Sequence, residues 1–370
     1  MVVLGNAASV LVATEYGFES RTLPTPTVPA YPPGRVHRLG DVAAALGLAD
    51  AKFITHAVAV ETSAYEELAL DWVFHYYQLT CPVAARAAGA RVATLVTWPD
   101  HGRFQSSLFS DCATSIDVCA KAFERTLRDH EQSSISDVGQ LLFDRSDLAF
   151  SPTYPDTDRL VGSVAGVEYV GHVGWKTIEK DEPDWLLDWP RPGQLGLLLY
   201  AGVGDISIAQ FVESANAAFG ETEFDVVIAV GRAPTEHNMS QQSLSRNIRV
   251  EHVVPATSVL QRSNALVCHG GINTLMNAVK CGVPTLAFAE RDPERLYFVE
   301  RLEQLGIARN GRREHLTSGE LAAAVRALVR ECESAAEAFS ATLPKLDGAS
   351  AILDAMEGRQ VEVPDRRVVP

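Results

Sequence analysis

Residues 266–274 read Leu266-Val267-Cys268-His269-Gly270-Gly271-Ile272-Asn273-Thr274, an apolar run that passes through His-Gly-Gly into a helical pattern. Two glycines let the backbone approach a ligand closely, and a helix start offers unpaired N–H groups at the positive end of its dipole. The side chains of His269, Asn273 and Thr274 can add hydrogen bonds to such a ligand. The stretch therefore predicts a phosphate-binding strand–turn–helix. The alternative is a tight turn in which Asn273 or Thr274 only caps the helix.

Outward from this stretch, short β-branched runs alternate with helical patterns along the chain. This alternation predicts parallel sheets covered by helices. The predicted strands are residues 2–4, 19–23, 91–97, 147–151, 167–170, 195–200, 225–230, 248–252, 265–268 and 285–289. The predicted helices are residues 7–16, 115–130, 207–219, 272–280, 294–305, 318–330 and 349–357. The fold class that follows is α/β.

A change of composition near the middle of the chain indicates a domain boundary. Residues 176–192 hold four acidic side chains within 179–184, three prolines, and Trp185 and Trp189 as two aromatic anchors. This composition is typical of a linker. The predicted parts are a first domain at 1–175, the linker at 176–192, a second domain at 193–345, a C-terminal helix at 346–358 and a tail at 359–370.

Composition and charge narrow the class of protein. The chain has 370 residues, with 47 acidic against 32 basic side chains and a net charge of −15, which argues against a nucleic-acid partner. No apolar run approaches the length of about 18 residues that a membrane-spanning helix needs. The first residues lack the pattern of a signal peptide. Six cysteines without a CxxC pair indicate a reducing compartment, so we expect a cytoplasmic protein.

Four further signals flank the His-Gly-Gly turn. They are Asn247-Ile248-Arg249-Val250, Val253-Val254-Pro255-Ala256, Cys281-Gly282-Val283-Pro284 and Glu300-Arg301-Leu302-Glu303-Gln304-Leu305-Gly306. With them the sequence resembles the donor-binding domain of family-one glycosyltransferases, in particular bacterial enzymes that glycosylate macrolides and other natural products. Typical members read roughly WVPQ, HGGxNSxxEALxxGVP and DQxxNAxRVxELG. The resemblance covers residues 195–328 and implies the GT-B fold, two facing Rossmann-like domains with parallel sheets and the active site in the cleft.

The resemblance implies roles for residues around the turn. The residues that match the diphosphate motif are His269, Gly270, Gly271, Asn273 and Thr274. Val254 would offer backbone groups to the nucleotide base, while Val253 stands where the family has an aromatic ring. Asn277 occupies the place of the glutamate that usually holds the ribose hydroxyls.

Other positions would face the donor's phosphate or sugar. Glu294 and Arg295 fall where the family has its sugar-reading Asp-Gln pair, and the alternative is a solvated helix start. Gly202, in the loop after strand 195–200, and Arg232, after strand 225–230, would border the same site. That loop lacks the third glycine of a dinucleotide fingerprint, which argues against NAD. No metal and no cofactor are expected beyond the nucleotide sugar as co-substrate, because a helix N-terminus can neutralise a leaving diphosphate.

The N-terminal domain departs most from the family. Members open with a strand, a loop bearing the histidine that acts as general base, and a helix, whereas residues 1–6 here resemble their second strand. The resemblance implies that one βα unit of roughly 25–30 residues is missing, through a misassigned start or a lost base. Asp100 and His101, on the loop after strand 91–97, are candidate replacements, against the alternative of an exposed loop histidine.

A cluster of aromatic residues stands in the same half of the chain. Its members are Trp72, Phe74, Tyr76 and Tyr77. They could line an acceptor pocket, but the composition favours core packing.

The predicted function is transfer of a sugar from a UDP- or dTDP-sugar to a hydroxyl of a small lipophilic natural product, with inversion. The absent base and the changes at Val253, Asn277 and Arg295 favour an alternative, an inactive GT-B paralogue that binds nucleotide sugar or serves as a helper subunit. A third possibility is a GT-B sugar-nucleotide epimerase. The sequence leaves the sugar, the acceptor and the oligomeric state open.

Overall fold

A computed structural model of the chain describes most of its residues. The described ranges are 1–28, 39–104, 117–160, 162–174, 182–200, 208–231, 244–289, 292–312, 314 and 319–358. They form two compact units. The first unit consists of Met1–Ser151, Arg159–Tyr169 and Asp354–Arg359, and the second includes Pro152–Asp158 and Val170–Leu353. The second unit thus begins inside the predicted first domain of 1–175, and residues 176–181 of the predicted linker lie outside the described ranges.

The first unit is built from parallel strands and helices. Its strands are β1 (Val2–Gly5), β2 (Glu19–Thr22), β3 (Trp72–His75), β4 (Arg91–Leu95), β5 (Leu148–Ser151) and β6 (Val167–Tyr169). Its helices are α1 (Ala7–Glu15), α2 (Leu39–Ala45), α3 (Ala51–Glu67), α4 (Cys81–Ala87), α5 (Val118–Asp129) and α6 (Gly139–Phe143). The strands form one parallel pair, β1-β2, and one four-stranded parallel sheet in the order β3-β4-β5-β6.

The two sheets of the first unit share one hydrophobic core. Leu4 on β1 packs against the cluster that contains Val73 on β3. Among the described strands, β1 pairs only with β2 and β3 pairs only with β4. The sequence predicts that one βα unit of this domain is missing. Nothing in these strand pairings tests that expectation, so it stays a prediction.

The second unit is a six-stranded parallel sheet with helices. Its strands are β7 (Leu195–Tyr200), β8 (Phe224–Ala229), β9 (Ile248–Glu251), β10 (Ala265–Cys268), β11 (Thr285–Ala287) and β12 (Ala308–Asn310). The helices that follow residue 182 are α7 (Asp184–Leu187), α8 (Ile208–Phe219), α9 (Ala256–Leu260), α10 (Ile272–Cys281), α11 (Pro293–Gln304), α12 (Leu321–Thr342) and α13 (Gly348–Met356). The strand order β12-β11-β10-β7-β8-β9 is that of a doubly wound Rossmann sheet.

Burial explains why these strands form. β8 and β10 are buried at every position, as expected for parallel strands covered on both faces. α12 extends to Thr342 instead of ending at residue 330, because its apolar face continues through Cys332 and Ala336. Within the described ranges, no helix is long and apolar enough to cross a membrane.

The preference for core packing of the aromatic cluster is wrong for two of its members. Phe74 and Tyr76 are 43% and 37% exposed. The cause is the two-residue period of β3, which buries Val73 and His75 on one face and turns Phe74 to the other. Tyr77 is partly buried and packs against the core of the first unit.

Candidate functional site

The His-Gly-Gly turn lies at the switch point of the second unit's sheet. β7 and β10 are adjacent, and from this pair the sheet order runs in opposite directions. Ligands of doubly wound folds bind beyond the carboxyl ends of the strands at such a point. The turn follows β10 directly. Gly202, which follows β7, and Arg232 lie outside the described residues.

Each glycine of the turn has its own geometric reason. Gly270 has a φ of +86°, in the left-handed region that favours glycine. Gly271 has an ordinary extended conformation, but a Cβ atom there would lie 2.6 Å from Nε2 of His269. The imidazole therefore lies over the bare backbone at Gly271.

The start of α10 has a glycine at its N-cap. This residue, Gly271, has no side chain and gives the first turn no side-chain cap. The first backbone bond of the helix runs from the Leu275 N–H to the Gly271 carbonyl, at 3.0 Å. The alternative in which Asn273 or Thr274 caps the helix is therefore wrong. Asn273 is exposed and Thr274 half-buried, so both side chains are accessible.

His269 is a neutral hydrogen-bonding group at physiological pH. Burial, followed by the nearby positive charge of Arg295, lowers its pKa to about 4. Its ring centroid is 5.9 Å from that of Tyr200, and its Nδ1 is buried with no hydrogen-bond partner among the described residues. Such a buried nitrogen is expected to find a partner in a ligand or a water molecule.

Cys268 has a structural place beside the turn. Its Sγ accepts the Gly270 N–H at 3.4 Å, and burial raises its pKa to about 12. The thiol stays protonated near neutral pH and has no features of a nucleophile.

The residues that we expect at the nucleotide base and at the ribose lie next to α9. Val254 is half-buried just before α9, while Val253 is 56% exposed. Asn277 is buried on α10, and its Oδ1 accepts the Thr257 hydroxyl at 3.2 Å. The sequence reasoning missed Thr257, whose position three residues after Val254 gave no signal of this contact.

The first turn of α11 lies next to the His-Gly-Gly turn. A Cβ on Gly270 would stand 3.5 Å from the Cβ of Arg295. Asp292 caps α11 by accepting the N–H groups of Glu294 and Arg295 at 3.0 and 3.1 Å. Glu294 and Arg295 are both half-buried, so this helix start is only partly solvated. The Asp-Pro pair before the helical pattern could have identified Asp292 as the cap.

Asp100 and His101 belong to the first unit, and both make contacts with neighbouring residues in the sequence. Asp100 is buried, and its carboxylate accepts the Thr97 N–H and hydroxyl at 2.7 and 2.9 Å. The His101 ring stacks on Trp98, with centroids 5.3 Å apart. Its Nδ1 accepts the Arg103 N–H at 3.1 Å, and burial followed by Arg103 lowers its pKa. The proton of the neutral ring then resides on Nε2, so neither nitrogen is set up as a general base.

Solved structures share the architecture of this chain. The calicheamicin glycosyltransferase CalG4 aligns with a TM-score of 0.68 at 17% identity, covering 96% of this chain and 90% of that one. The spinosyn rhamnosyltransferase SpnG in complex with spinosyn aglycone aligns with a TM-score of 0.65 at 17% identity, covering 96% of this chain and 91% of that one. The glycosyltransferase VinC in complex with dTDP aligns with a TM-score of 0.60 at 19% identity, covering 96% of this chain and 92% of that one. The predicted GT-B fold is confirmed.

Sequence comparison confirms the predicted resemblance. Residues 199–345 match the EryCIII-like family, described as erythromycin biosynthesis protein CIII-like, C-terminal domain. This part of the chain is therefore similar to the C-terminal domain of that family.

Curated relatives match about a third of this chain. The NDP-glycosyltransferase YjiC of Bacillus licheniformis is 28% identical over 133 residues, 36% of this chain and 33% of that protein. The aclacinomycin-T 2-deoxy-L-fucose transferase of Streptomyces galilaeus is 27% identical over 130 residues, 34% and 28% of the two chains. The match thus spans about a third of each relative's length. Because these relatives are transferases, they lend no support to the inactive or helper alternative.

Proposed function

We propose that the protein transfers a sugar from a UDP- or dTDP-sugar to a hydroxyl of a small lipophilic natural product, with inversion at the anomeric carbon. The observation that carries the proposal is the uncapped start of α10 behind the His-Gly-Gly turn, at the sheet's switch point. Two structural neighbours support these two ligand classes, because VinC was solved in complex with dTDP and SpnG in complex with spinosyn aglycone.

The proposed diphosphate site uses the features of the turn directly. N–H groups at the start of α10 and the positive end of its dipole attract the diphosphate. The neutral imidazole of His269 donates one hydrogen bond, and the accessible side chains of Asn273 and Thr274 add others. When the bond between sugar and diphosphate breaks, negative charge grows on the leaving diphosphate, and these fixed donors stabilise it.

The nucleoside is proposed to lie along the start of α9. Backbone groups at Val254 would contact the base, without an aromatic platform because residue 253 is valine. Asn277, held by Thr257, would bond a ribose hydroxyl. Glu294 would accept bonds from sugar hydroxyls. We do not assign the acceptor's proton to Asp100 or His101, because both are occupied by the contacts described above.

Calorimetric titration with UDP and dTDP tests the donor site. The wild-type protein should bind at least one nucleotide, and the combined substitution His269→Ala with Asn273→Ala should weaken binding at least about tenfold, through loss of hydrogen bonds to a charged group. The exposed His252 provides a control, because His252→Ala should leave the affinity unchanged. If the wild type binds neither nucleotide, the proposed donor site is refuted.

A further inference from the structure

At the start of α11, the carboxylate of Asp292 contacts both backbone N–H groups and the side chain of Arg295. Asp292 Oδ1 accepts the first-turn amides, while Oδ2 lies 3.2 Å from Nε of Arg295. The Arg295 side chain is only 27% exposed. An ion pair in such a half-buried position interacts more strongly than a fully solvated one. The cation is therefore held in a defined place instead of moving freely in solvent.

That place is beside the proposed diphosphate site. The Arg295 Cβ approaches the backbone of Gly270. Its positive charge favours a lower pKa at His269 and opposes the rise that burial causes at Cys268, while the Asp292 carboxylate acts in the opposite direction on His269. The guanidinium and the positive end of the α10 dipole therefore act on the same small region. Two positive fields that converge in this way favour an anion with more than one charge.

The chemistry of arginine argues against a sugar-reading role at this position. A guanidinium offers a planar set of N–H donors that fits the oxygens of a phosphate, and it carries no acceptor for a sugar hydroxyl's proton. Hydrogen bonds from a cation to an anionic oxygen are about twice as strong as those between neutral groups.

We propose that Arg295 binds the terminal phosphate of the nucleotide, so that the site discriminates nucleoside diphosphates from monophosphates. The proposal rests on the proposed function, because it places a second residue on the same diphosphate. Asp292 restrains the guanidinium in the free protein and competes with the phosphate for it.

Two substitutions with opposite expected effects test this role. Arg295→Gln removes the cation and should weaken UDP binding about tenfold while changing UMP binding less than about twofold. Asp292→Asn keeps an acceptor for the helix cap but removes the competing charge, so UDP binding should strengthen severalfold. Arg326→Gln is the matched control, because Arg326 pairs with Glu223 at 2.6 Å on an exposed surface of the same unit, and its loss should leave both affinities unchanged.

Calorimetry with UDP and UMP on the wild type and on each variant gives the ratio of the two dissociation constants. Thermal unfolding verifies that each variant is folded, and Arg295→Lys, which keeps the charge, should retain most of the preference for UDP. If wild type prefers UDP and Arg295→Gln leaves that preference intact, the role of Arg295 is refuted while the donor site stands. If wild type binds no nucleotide, both proposals fall together.

Discussion

Alanine at Gly271 should remove a ligand contact without unfolding the protein. The backbone at Gly271, with φ −64° and ψ 137°, suits alanine. The three atoms nearest to the added Cβ would all belong to the ring of His269, with Nε2 at 2.6 Å and Cε1 at 3.3 Å. The ring must therefore move. Because a partly buried side chain can shift its rotamer while the backbone stays in place, we expect a cost of about 1 kcal/mol in the free energy of unfolding.

The effect on binding should be larger than the effect on folding. Displacing the ring removes a hydrogen bond from His269 to the proposed diphosphate. Hydrogen bonds to charged groups contribute about 1.5–3 kcal/mol, which corresponds to an affinity loss of about 10- to 150-fold for UDP.

The adjacent Gly270→Ala is a matched comparison, because we expect it to reduce the stability of the fold more than Gly271→Ala does. Its φ of +86° forces alanine into the left-handed region, at a cost of about 1–2 kcal/mol. Its Cβ would also lie 3.3 Å from that of Ala289. Urea unfolding should therefore separate the two variants, with the larger loss of stability at Gly270.

A double-mutant cycle with His269→Ala completes the assay. Gly271→Ala should weaken UDP binding in calorimetry when His269 is present and have no further effect when it is absent. Wild-type affinity in Gly271→Ala, or an equal loss in both backgrounds, would show that the contact between ring and backbone does not control the site.

Two further predictions concern stability. Three histidines have a pKa lowered to about 4 by burial, namely the buried His75 and His172 and the half-buried His269. Since the unfolded chain binds their protons below about pH 6.5 and the folded chain does not, stability should fall from about pH 6.5 toward pH 4 and level off above pH 6.5. A urea midpoint that is equal at about pH 7 and pH 5 would contradict this. Tyr297→Phe should lower the free energy of unfolding by about 1–2 kcal/mol, because the buried hydroxyl donates to Asp158 at 2.8 Å. Tyr76→Phe, at an exposed position, should have little effect, and equal urea midpoints for both variants would contradict the reasoning.

The strands of the second unit were predictable because parallel strands are continuous apolar runs. The predicted strand at residues 195–200 agrees in full with β7, and the one at 265–268 with β10. β12 was missed because its three residues include Arg309 and Asn310, which give no apolar run. β3 was missed because its aromatic residues suggested a buried cluster, although its alternation turns Phe74 outward.

The candidate site was predictable only where it is local in sequence. The His-Gly-Gly turn and the helix after it lie within one short stretch, so the start of α10 could be anticipated. The approach of Arg295 to Gly270 depends on how α11 packs beside α10, and no spacing in the sequence encodes that distance. The same holds for the bond between Thr257 and Asn277, which joins residues from two helices.

The protein has a net charge of −15, and the proposed ligand is an anion, so the overall charge repels the ligand. The binding free energy must therefore come from groups at the site itself. At physiological ionic strength the charges of distant surface carboxylates are largely screened beyond about 8 Å. The fields of the α10 dipole and of the half-buried Arg295 act at hydrogen-bond distance and are screened far less. Asp292 holds that cation in place until a stronger anion competes for it. An acidic protein can therefore bind a diphosphate through a few fixed donors, and its overall charge carries no information about that site.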